Sequence, residues 1–304
     1  MVKMITTSPS TPPTIAPILF SGWNQQMHRW SFGLASIITL ALSHHIHTSV
    51  RWSIVYGQAA MEFEDLEPKY VSSGRVDFDA AGLPEYKGCY ALVLDSLFSV
   101  EELSSFLAEA EASSTWKVAQ INAGTHEYTD TSYRNSDRII YDSFELSDKI
   151  FARIRPHLKD IEELEETVFT SGEAKQKWRM VRMNERLRFL RYPIGGYFKD
   201  HQDGCYIDEK TQQRTFYTVQ FYLPSDSSGS EESFVPPQGG TTRFLSWSSR
   251  SKHAHADVEA VPGRVLVFQH AKLLHTGEEV TGGVKCTVRS DILYERVGPP
   301  VLVD

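Results

Sequence analysis

The clearest hydrophobic pattern lies in the C-terminal half of the chain, where short apolar runs alternate with glycine and proline. Leu187–Tyr192 is rich in apolar residues and is followed by Pro193 and the pair Gly195-Gly196. Short runs between turn residues are typical of β-strands. Arg264–Phe268 follows a proline–glycine turn, and Val284–Tyr294 follows a further glycine turn. The pattern therefore predicts mainly strands from residue 187 onward.

The preceding region has the spacing of helices. Ser99–Glu102 has the capping-box form that begins a helix, and apolar residues continue at helical spacing after it. A second helix is predicted from near Ser147 to Leu158, with Pro156 limiting or kinking it. We therefore expect helices first and a β-barrel second, with the barrel core at about residues 185–295.

Candidate metal ligands occur at the exit of one predicted strand and beyond another. His201 and Asp203 are two residues apart, so on a strand both side chains point to the same face. His275 follows 74 residues after His201, behind a separate strand. Two imidazoles and one carboxylate are the ligand set of non-heme Fe(II) oxygenases. The chain also contains a second His-x-Asp, His255 and Asp257, which we assign to a solvated loop because residues 248–257 are polar and lack a strand pattern.

Three sequence blocks carry a family resemblance. The first resembles the metal motif of the prolyl 4-hydroxylase-like branch of the Fe(II)/2-oxoglutarate oxygenases, and it consists of Arg191, Tyr192, Pro193, Gly196, Tyr197, His201 and Asp203. The second resembles the central strand of that branch and is Gly239–Phe244. The third resembles its closing motif and consists of Pro262–Phe268, His275, Gly277, Val280, Gly283 and Lys285. The blocks follow the order and spacing of the family, and the resemblance covers residues 92–295.

The resemblance implies a mainly β fold with flanking helices, namely a double-stranded β-helix of the jelly-roll or cupin-like kind. It also implies Fe(II) held by His201, Asp203 and His275, with 2-oxoglutarate and O2 as cosubstrates and ascorbate as an optional further cofactor. The expected reaction hydroxylates an unactivated C–H bond of a small molecule or a peptidyl residue and produces succinate and CO2. Halogenating relatives replace the carboxylate, so the presence of Asp203 favours hydroxylation.

In the family that the chain resembles, a lysine binds the C5 carboxylate of 2-oxoglutarate. Lys285, ten residues after His275, matches the position of that lysine. A buried C5 carboxylate of 2-oxoglutarate needs a cation beside it. Arg289 is the alternative, because it lies four residues further along the same strand and can bind a carboxylate through two hydrogen bonds. Tyr192 and Tyr222 match family positions that line the cosubstrate pocket, and Thr218 shares the strand face of Tyr222. Core packing is an equal alternative for these three residues.

Two other classes of function remain open at this stage. One is a non-catalytic metal-binding jelly roll that senses or binds a ligand, and the other is a cupin-type metalloenzyme that does not use 2-oxoglutarate. Residues 225–237 are polar, acidic and rich in serine, which is typical of a solvated loop, with a substrate lid as the alternative.

Charge separates the N-terminal region from the remainder of the chain. Residues 1–60 contain no Asp or Glu and only three of the 31 Lys and Arg residues, so the other 28 share the remaining chain with all 39 acidic residues and give it a net charge of −11. We therefore place the catalytic domain at 61–304. The extension 1–60 has three interpretations: a signal or membrane anchor through residues 29–45, a disordered tail, or an artefact of the assigned start with Met61 as initiator. A cytoplasmic location is favoured for 61–304, with the secretory pathway or ER membrane as the alternative.

Cysteine content and charge limit the remaining possibilities. Three cysteines cannot form a dense disulfide framework. An acidic catalytic region argues against a nucleic-acid partner. One basic cluster is present, and we interpret it mainly as a solvated strand edge; it consists of Lys175, Lys177, Arg179, Arg182, Arg186, Arg188 and Arg191.

Overall fold

The computed structural model describes residues 71–122, 126–248 and 253–303. All of them belong to Phe63–Asp304, one of two units into which the chain divides. The N-terminal extension 1–60, its interpretations as an anchor, tail or start-site artefact, and the boundary at Met61 lie outside the described residues. Within the described part of the chain, no helix is long and apolar enough to cross a membrane.

Two α-helices pack on the outside of the sheets. Helix α1, Val100–Ser113, begins with the predicted capping box, in which the side chains of Ser99 and Glu102 each accept a hydrogen bond from the other residue's backbone N–H. Helix α2, Phe144–Ile154, begins at the N-cap Ser143, a few residues before the predicted start. Short 3-10 helices complete this layer at Pro84–Tyr86, Arg155–His157, Lys159–Ile161 and Glu231–Phe234.

Nine strands precede the barrel core along the chain. They are Ser72–Arg75 (β1), Ala91–Asp95 (β2), Lys117–Val118 (β3), Ile121–Asn122 (β4), Glu127–Tyr128 (β5), Arg134–Asn135 (β6), Asp137–Asp142 (β7), Glu163–Phe169 (β8) and Glu173–Met183 (β9).

Ten further strands follow in the described residues. They are Arg186–Tyr192 (β10), Tyr197–His201 (β11), Arg214–Leu223 (β12), Gln238–Gly239 (β13), Thr242–Leu245 (β14), His255–Val258 (β15), Val265–Gln269 (β16), His275–Gly277 (β17), Val280–Gly282 (β18) and Lys285–Leu302 (β19). The last strand continues beyond residue 295, the predicted end of the barrel, and pairs there with β9.

The barrel is a double-stranded β-helix formed by two antiparallel sheets. The larger sheet has the order β1-β2-β16-β12-β19-β10-β7-β3, with β9 beside β19 and β8 beside β9. The smaller sheet has the order β15-β14-β17-β11-β6. From β10 onward the chain crosses repeatedly between the two sheets. The predicted fold class is therefore confirmed.

Side chains alternate across the larger sheet in a way that separates core from cavity. Phe189, Val219 and Val288 point outward and pack in the same hydrophobic cluster as residues of α1 and α2. Their neighbours along the strands point to the barrel interior, because successive strand residues face opposite sides. The interior face of β10, β12 and β19 is therefore free to carry polar groups. Its apolar support comes from the helices on the opposite face.

One sequence interpretation of local structure was wrong. His255–Val258 forms β15, paired with β14, and is not a loop. Asp257 forms an ion pair with Arg243, the residue opposite it in this register, at 2.7 Å. This cross-strand pair stabilises polar residues on a strand whose sequence has little apolar character.

Gly239, the last residue of β13, is required by both its backbone conformation and the space around it. Gly239 has a φ of 70°, and a Cβ there would collide with the backbone oxygen of Glu279. Gly195 has a φ of 78°, but a Cβ there would meet nothing within 4 Å. The two glycines therefore share the left-handed backbone conformation and differ in the space around them.

We expect Gly239→Ala to lower the free energy of unfolding by about 2–4 kcal/mol, because it combines left-handed strain with a steric collision. Gly195→Ala is the matched control and should cost about 1–2 kcal/mol, from backbone strain alone. Chemical denaturation of both full-length variants measures the difference. Equal losses would show that the collision contributes nothing.

Candidate active site

Three possible metal ligands converge where the two sheets open. His201 ends β11 and is the register partner of His275, which begins β17. Asp203 lies two residues beyond β11, with its carboxylate oxygens 3.8 Å from His201 Nε2 and 3.9 Å from His275 Nε2. One ligand atom from each residue lies within 4.8 Å of the others. It is the one cluster of three or more such ligands within the described ranges, and Cys205 does not belong to it.

Backbone carbonyls orient both imidazoles. His201 Nδ1 lies 2.7 Å from the carbonyl oxygen of Lys199, and His275 Nδ1 lies 3.1 Å from that of Leu273. In this arrangement Nδ1–H donates, and Nε2 keeps its lone pair towards Asp203. Burial lowers the pKa of His201 to about 3 and also lowers the pKa of His275. Both rings are therefore neutral near pH 7, the form in which histidine binds a metal.

The Asp203 carboxylate is buried and held by two donors. Thr218 Oγ1 donates to Oδ2 at 2.6 Å, and an Arg289 Nη atom lies 3.2 Å from Oδ1. Burial acts to raise the pKa of Asp203, but the Arg289 guanidinium and the surrounding donors outweigh it and hold the pKa below its usual range. His270 Nδ1 lies 3.0 Å from Thr218 Oγ1. Thr218 therefore links Asp203 to His270.

The ligand set fits Fe(II). Two neutral imidazole nitrogens and one ionised carboxylate suit a 2-His-1-carboxylate site, which leaves other positions of the metal open. The aromatic neighbours also restrain the ligands: the ring of Phe198 stacks on that of His201 at 3.6 Å, and the ring of Phe268 meets that of His275 edge-on at 4.9 Å.

Lys285 lies in the cavity that the cluster opens into. Its side chain is buried, with Nζ 5.1 Å from the ring centre of Tyr192 and 5.9 Å from that of Tyr222. Among the described residues no carboxylate lies within ion-pair distance of it. Burial lowers the pKa of Lys285 to about 8. A buried ammonium without a counter-charge is well suited to an anionic ligand.

Arg289 lies elsewhere in the same cavity. Besides Asp203, it contacts the buried carboxylate of Asp291 at 3.2 Å, and Asp291 also pairs with Arg188 at 3.3 Å. The four side chains form a chain of alternating charge beside the candidate ligands. Arg289 is therefore engaged with a candidate metal ligand, whereas Lys285 is not.

The other predicted cosubstrate residues have different surroundings. Tyr192 lines the cavity. The Tyr222 hydroxyl donates to Thr242 Oγ1 at 2.7 Å, and Thr242 lines the cavity in its place. Thr218 donates a hydrogen bond to Asp203 and is not among the residues that line the cavity. The sequence predicts that these residues lie close together, but it does not distinguish a residue that lines the cavity from one that packs behind the lining residues.

Several cavity residues were missed from the sequence. Arg188, assigned to a solvated edge, points inward and lines the cavity, as do Arg134, Gln220 and Thr242. The period-two alternation that places Tyr192 inside also places Arg188 inside, so that signal was available. Arg134 lies on β6, a strand of two residues, and its position depends on pairing with β11.

The segment 225–237 packs against α1. Ser227 Oγ donates to Glu111 at 2.7 Å, and Gly229 lies near Ser104. None of its residues is among those that line the cavity. These contacts favour a packed surface loop over a lid.

Residues 187–290 match the family model of the 2OG-Fe(II) oxygenase superfamily. No curated protein matches the sequence. The solved structures that resemble the chain include a viral collagen prolyl hydroxylase from Paramecium Bursaria Chlorella virus-1. The two sequences are 18% identical, and the TM-score is 0.42. The match covers 68% of this chain and 97% of the viral one. A prolyl-4-hydroxylase from Pseudomonas putida has 17% identity and a TM-score of 0.45, covering 71% and 98% of the two chains. A prolyl hydroxylase from Trichoplax adhaerens, in complex with a hypoxia inducible factor peptide fragment, has 11% identity and a TM-score of 0.44, covering 70% and 89%.

The matched region contains the complete ligand cluster and both candidate cosubstrate cations. It also contains β11, β17 and the first part of β19, the strands that carry His201, His275 and the two cations. Residues 187–290 of this chain therefore match the 2OG-Fe(II) oxygenase superfamily, as the sequence motifs predict.

Proposed function

We propose that this protein is an Fe(II)- and 2-oxoglutarate-dependent dioxygenase that hydroxylates a C–H bond of a small molecule or a peptidyl residue. The observation that carries the proposal is the combination of two neutral imidazoles, one ionised carboxylate and a separate buried ammonium in one cavity. The reaction would release succinate and CO2. O2 as the oxidant and ascorbate as an auxiliary reductant belong to the same proposal.

His201, Asp203 and His275 would hold the iron, through Nε2 of each histidine and the carboxylate. When bound, iron with 2-oxoglutarate and O2 supplies the oxidising chemistry. The protein's contribution is to keep both imidazoles neutral and oriented by the carbonyls of Lys199 and Leu273. The rings of Phe198 and Phe268 pack against the histidines and exclude water from them.

Lys285 would pair with the C5 carboxylate of 2-oxoglutarate. It has no counter-charge of its own, whereas Arg289 is paired with Asp203 and Asp291. Two glycines leave room for the lysine side chain. A Cβ at Gly240 would lie 3.2 Å from Lys285 Cδ, and one at Gly277 would lie 3.8 Å from Nζ. The tight contact is at Gly240, between β13 and β14, so the space around the lysine side chain depends mainly on this glycine.

The two alternative classes have less support. A non-catalytic sensing module needs neither an unpaired buried ammonium nor three metal ligands that line the same cavity as that ammonium. A cupin-type enzyme that works without 2-oxoglutarate would leave Lys285 as an uncompensated buried charge, which is costly. Membrane association through residues 29–45 remains a separate proposal, which live-cell imaging of both tagged ends can test.

The decisive experiment titrates the full-length protein anaerobically with Fe(II) and 2-oxoglutarate and follows the visible charge-transfer band of the chelate. We expect a band in the wild type and none in His275→Ala. His255→Ala is the matched control, because this histidine belongs to the second His-x-Asp but not to the cluster. A wild type that is folded but gives no band would refute the proposed function.

Thr218 should position Asp203 for the metal. We expect Thr218→Val to weaken Fe(II) binding by about 10–100-fold, because the carboxylate loses the donor that orients it. Thr218→Ser keeps the hydroxyl and should retain most of the affinity. Both are measured by competition with a chromophoric chelator. If serine and valine weaken binding equally, the hydroxyl has no such role.

Binding of 2-oxoglutarate should weaken as the pH rises through about 8, the pKa of Lys285. Below that pKa the ammonium is protonated and the affinity should be constant, and above it the affinity should fall by up to about tenfold per pH unit. The band titration, repeated from one unit below to one unit above this pKa, measures the effect. Lys285→Met should bind 2-oxoglutarate weakly and lack this dependence. A decline of the same size in Lys285→Met would assign it to the metal instead.

A further inference from the structure

We propose that Arg134 and Arg188 form a second anion subsite, which binds a carboxylate of the substrate to be oxidised. The inference rests on the proposed function and makes it more specific, because it selects carboxylate-bearing small molecules over internal residues of a peptide. The subsite is distinct from Lys285, which serves the cosubstrate.

Arg188 enters the cavity from β10, directly opposite Arg289 on β19. Like charges directly opposite on neighbouring strands repel each other. Asp291 is buried between them and pairs with both, so one carboxylate serves two guanidinium groups. Asp291 alone cannot neutralise both cations.

Arg134 enters the cavity from β6, beside the strand that carries His201. Its side chain lies over the ring of Phe198 at 4.5 Å, and the residue is buried. It donates hydrogen bonds to neutral acceptors, from Nε to Ser136 Oγ at 3.1 Å and from Nη1 to the carbonyl of Gln120 at 3.3 Å, and the Tyr192 hydroxyl is a further neutral partner. Among the described residues, no carboxylate forms an ion pair with it. Arg134 therefore brings a buried positive charge to the cavity wall without a counter-charge.

The charges that line the cavity do not balance. Four cationic side chains line it: Arg134, Arg188, Lys285 and Arg289. The carboxylates that contact them are those of Asp203 and Asp291. Fe(II) and doubly charged 2-oxoglutarate would cancel each other, so the loaded site would still contain two uncompensated positive charges. Unpaired positive charge in a largely enclosed cavity is unfavourable unless a ligand neutralises it.

A carboxylate on the substrate is the ligand that fits this excess. A guanidinium binds a carboxylate through two parallel hydrogen bonds, and Arg289 Nε is a further buried donor without a partner in the described part of the chain. The C5 carboxylate of 2-oxoglutarate would lie at the other end of the cavity. Lys285 is four strand residues from Arg289, which corresponds to about 13 Å between Cα atoms. Arg188, opposite Arg289, therefore lies on the side of the cavity away from Lys285.

The test uses pairs of small molecules that differ only in the carboxylate: acetate and acetamide, glycine and glycinamide, and L-proline and L-prolinamide. Each is added to the full-length protein loaded anaerobically with Fe(II) and 2-oxoglutarate, and the shift of the charge-transfer band is followed. Succinate release in air is measured in parallel. We expect at least one acid to bind about tenfold more tightly than its amide. This preference should disappear in Arg188→Gln and in Arg134→Gln.

Arg191→Gln is the matched control. Arg191 lies on the outward face of the same strand, paired with Asp137 at 3.1 Å and stacked on Trp116, so its loss should leave the preference intact. Circular dichroism confirms that each variant is folded. The affinity for 2-oxoglutarate is measured in parallel for each variant, so that an effect on the cosubstrate is separated from an effect on the substrate acid.

Three outcomes overturn the inference while leaving the proposed function intact. In the first, acids and amides bind alike. In the second, no acid shifts the band or raises succinate release at millimolar concentrations. In the third, Arg188→Gln loses affinity for 2-oxoglutarate itself, which would assign the arginines to the cosubstrate's C1 carboxylate. A wild type without any band is a separate result, because it refutes the proposed function and the inference together.

Discussion

The site depends on keeping one buried carboxylate ionised. Asp203 is almost inaccessible to solvent, and burial alone would drive it towards the neutral acid. Thr218 and Arg289 reverse that tendency by donating to its two oxygens. Arg289 is itself partly buried and is held by Asp291, which in turn contacts Arg188. Charged residues of two strands, β10 and β19, therefore surround a single candidate ligand.

The double-stranded β-helix can accommodate this polar interior because the other face of the same strands packs in a hydrophobic cluster. Period-two alternation directs one face of β10, β12 and β19 towards the helices, where Phe189, Val219 and Val288 form part of the large hydrophobic cluster. The opposite face is then available for arginine, lysine and threonine. The smaller sheet contributes a different constraint, because the pairing of β11 with β17 sets His201 beside His275. The larger sheet thus carries Arg188, Lys285, Arg289 and Asp291, and the smaller sheet carries both imidazoles and Arg134.

The sequence allowed prediction of those features that depend on local order. The capping box at Ser99, the strand carrying His201 and the His-x-Asp spacing are all short-range patterns, and each has its expected place in the fold. Features set by pairing between distant segments were not accessible. Arg134 reaches the cavity only because β6 pairs with β11, and His255–Val258 becomes a strand only because β14 lies beside it. Similarly, family position indicated Lys285 and strand periodicity added Arg289, but only the positions of Asp203 and Asp291 distinguish the surroundings of the two cations.

The opposition of Arg188 and Arg289 across two strands also affects how this sequence can change. Each arginine shares Asp291 with the other, so a neutral residue at position 291 would leave two guanidinium groups facing each other without a common partner. Conversely, loss of one arginine would shift the balance at Asp291 and at Asp203. Effects of substitution at residues in one charged network are not additive. Positions 188, 289 and 291 are therefore expected to vary as a group among sequences that share this site. Replacement of the charged residue at one of these positions by an apolar residue favours the same replacement at the other two.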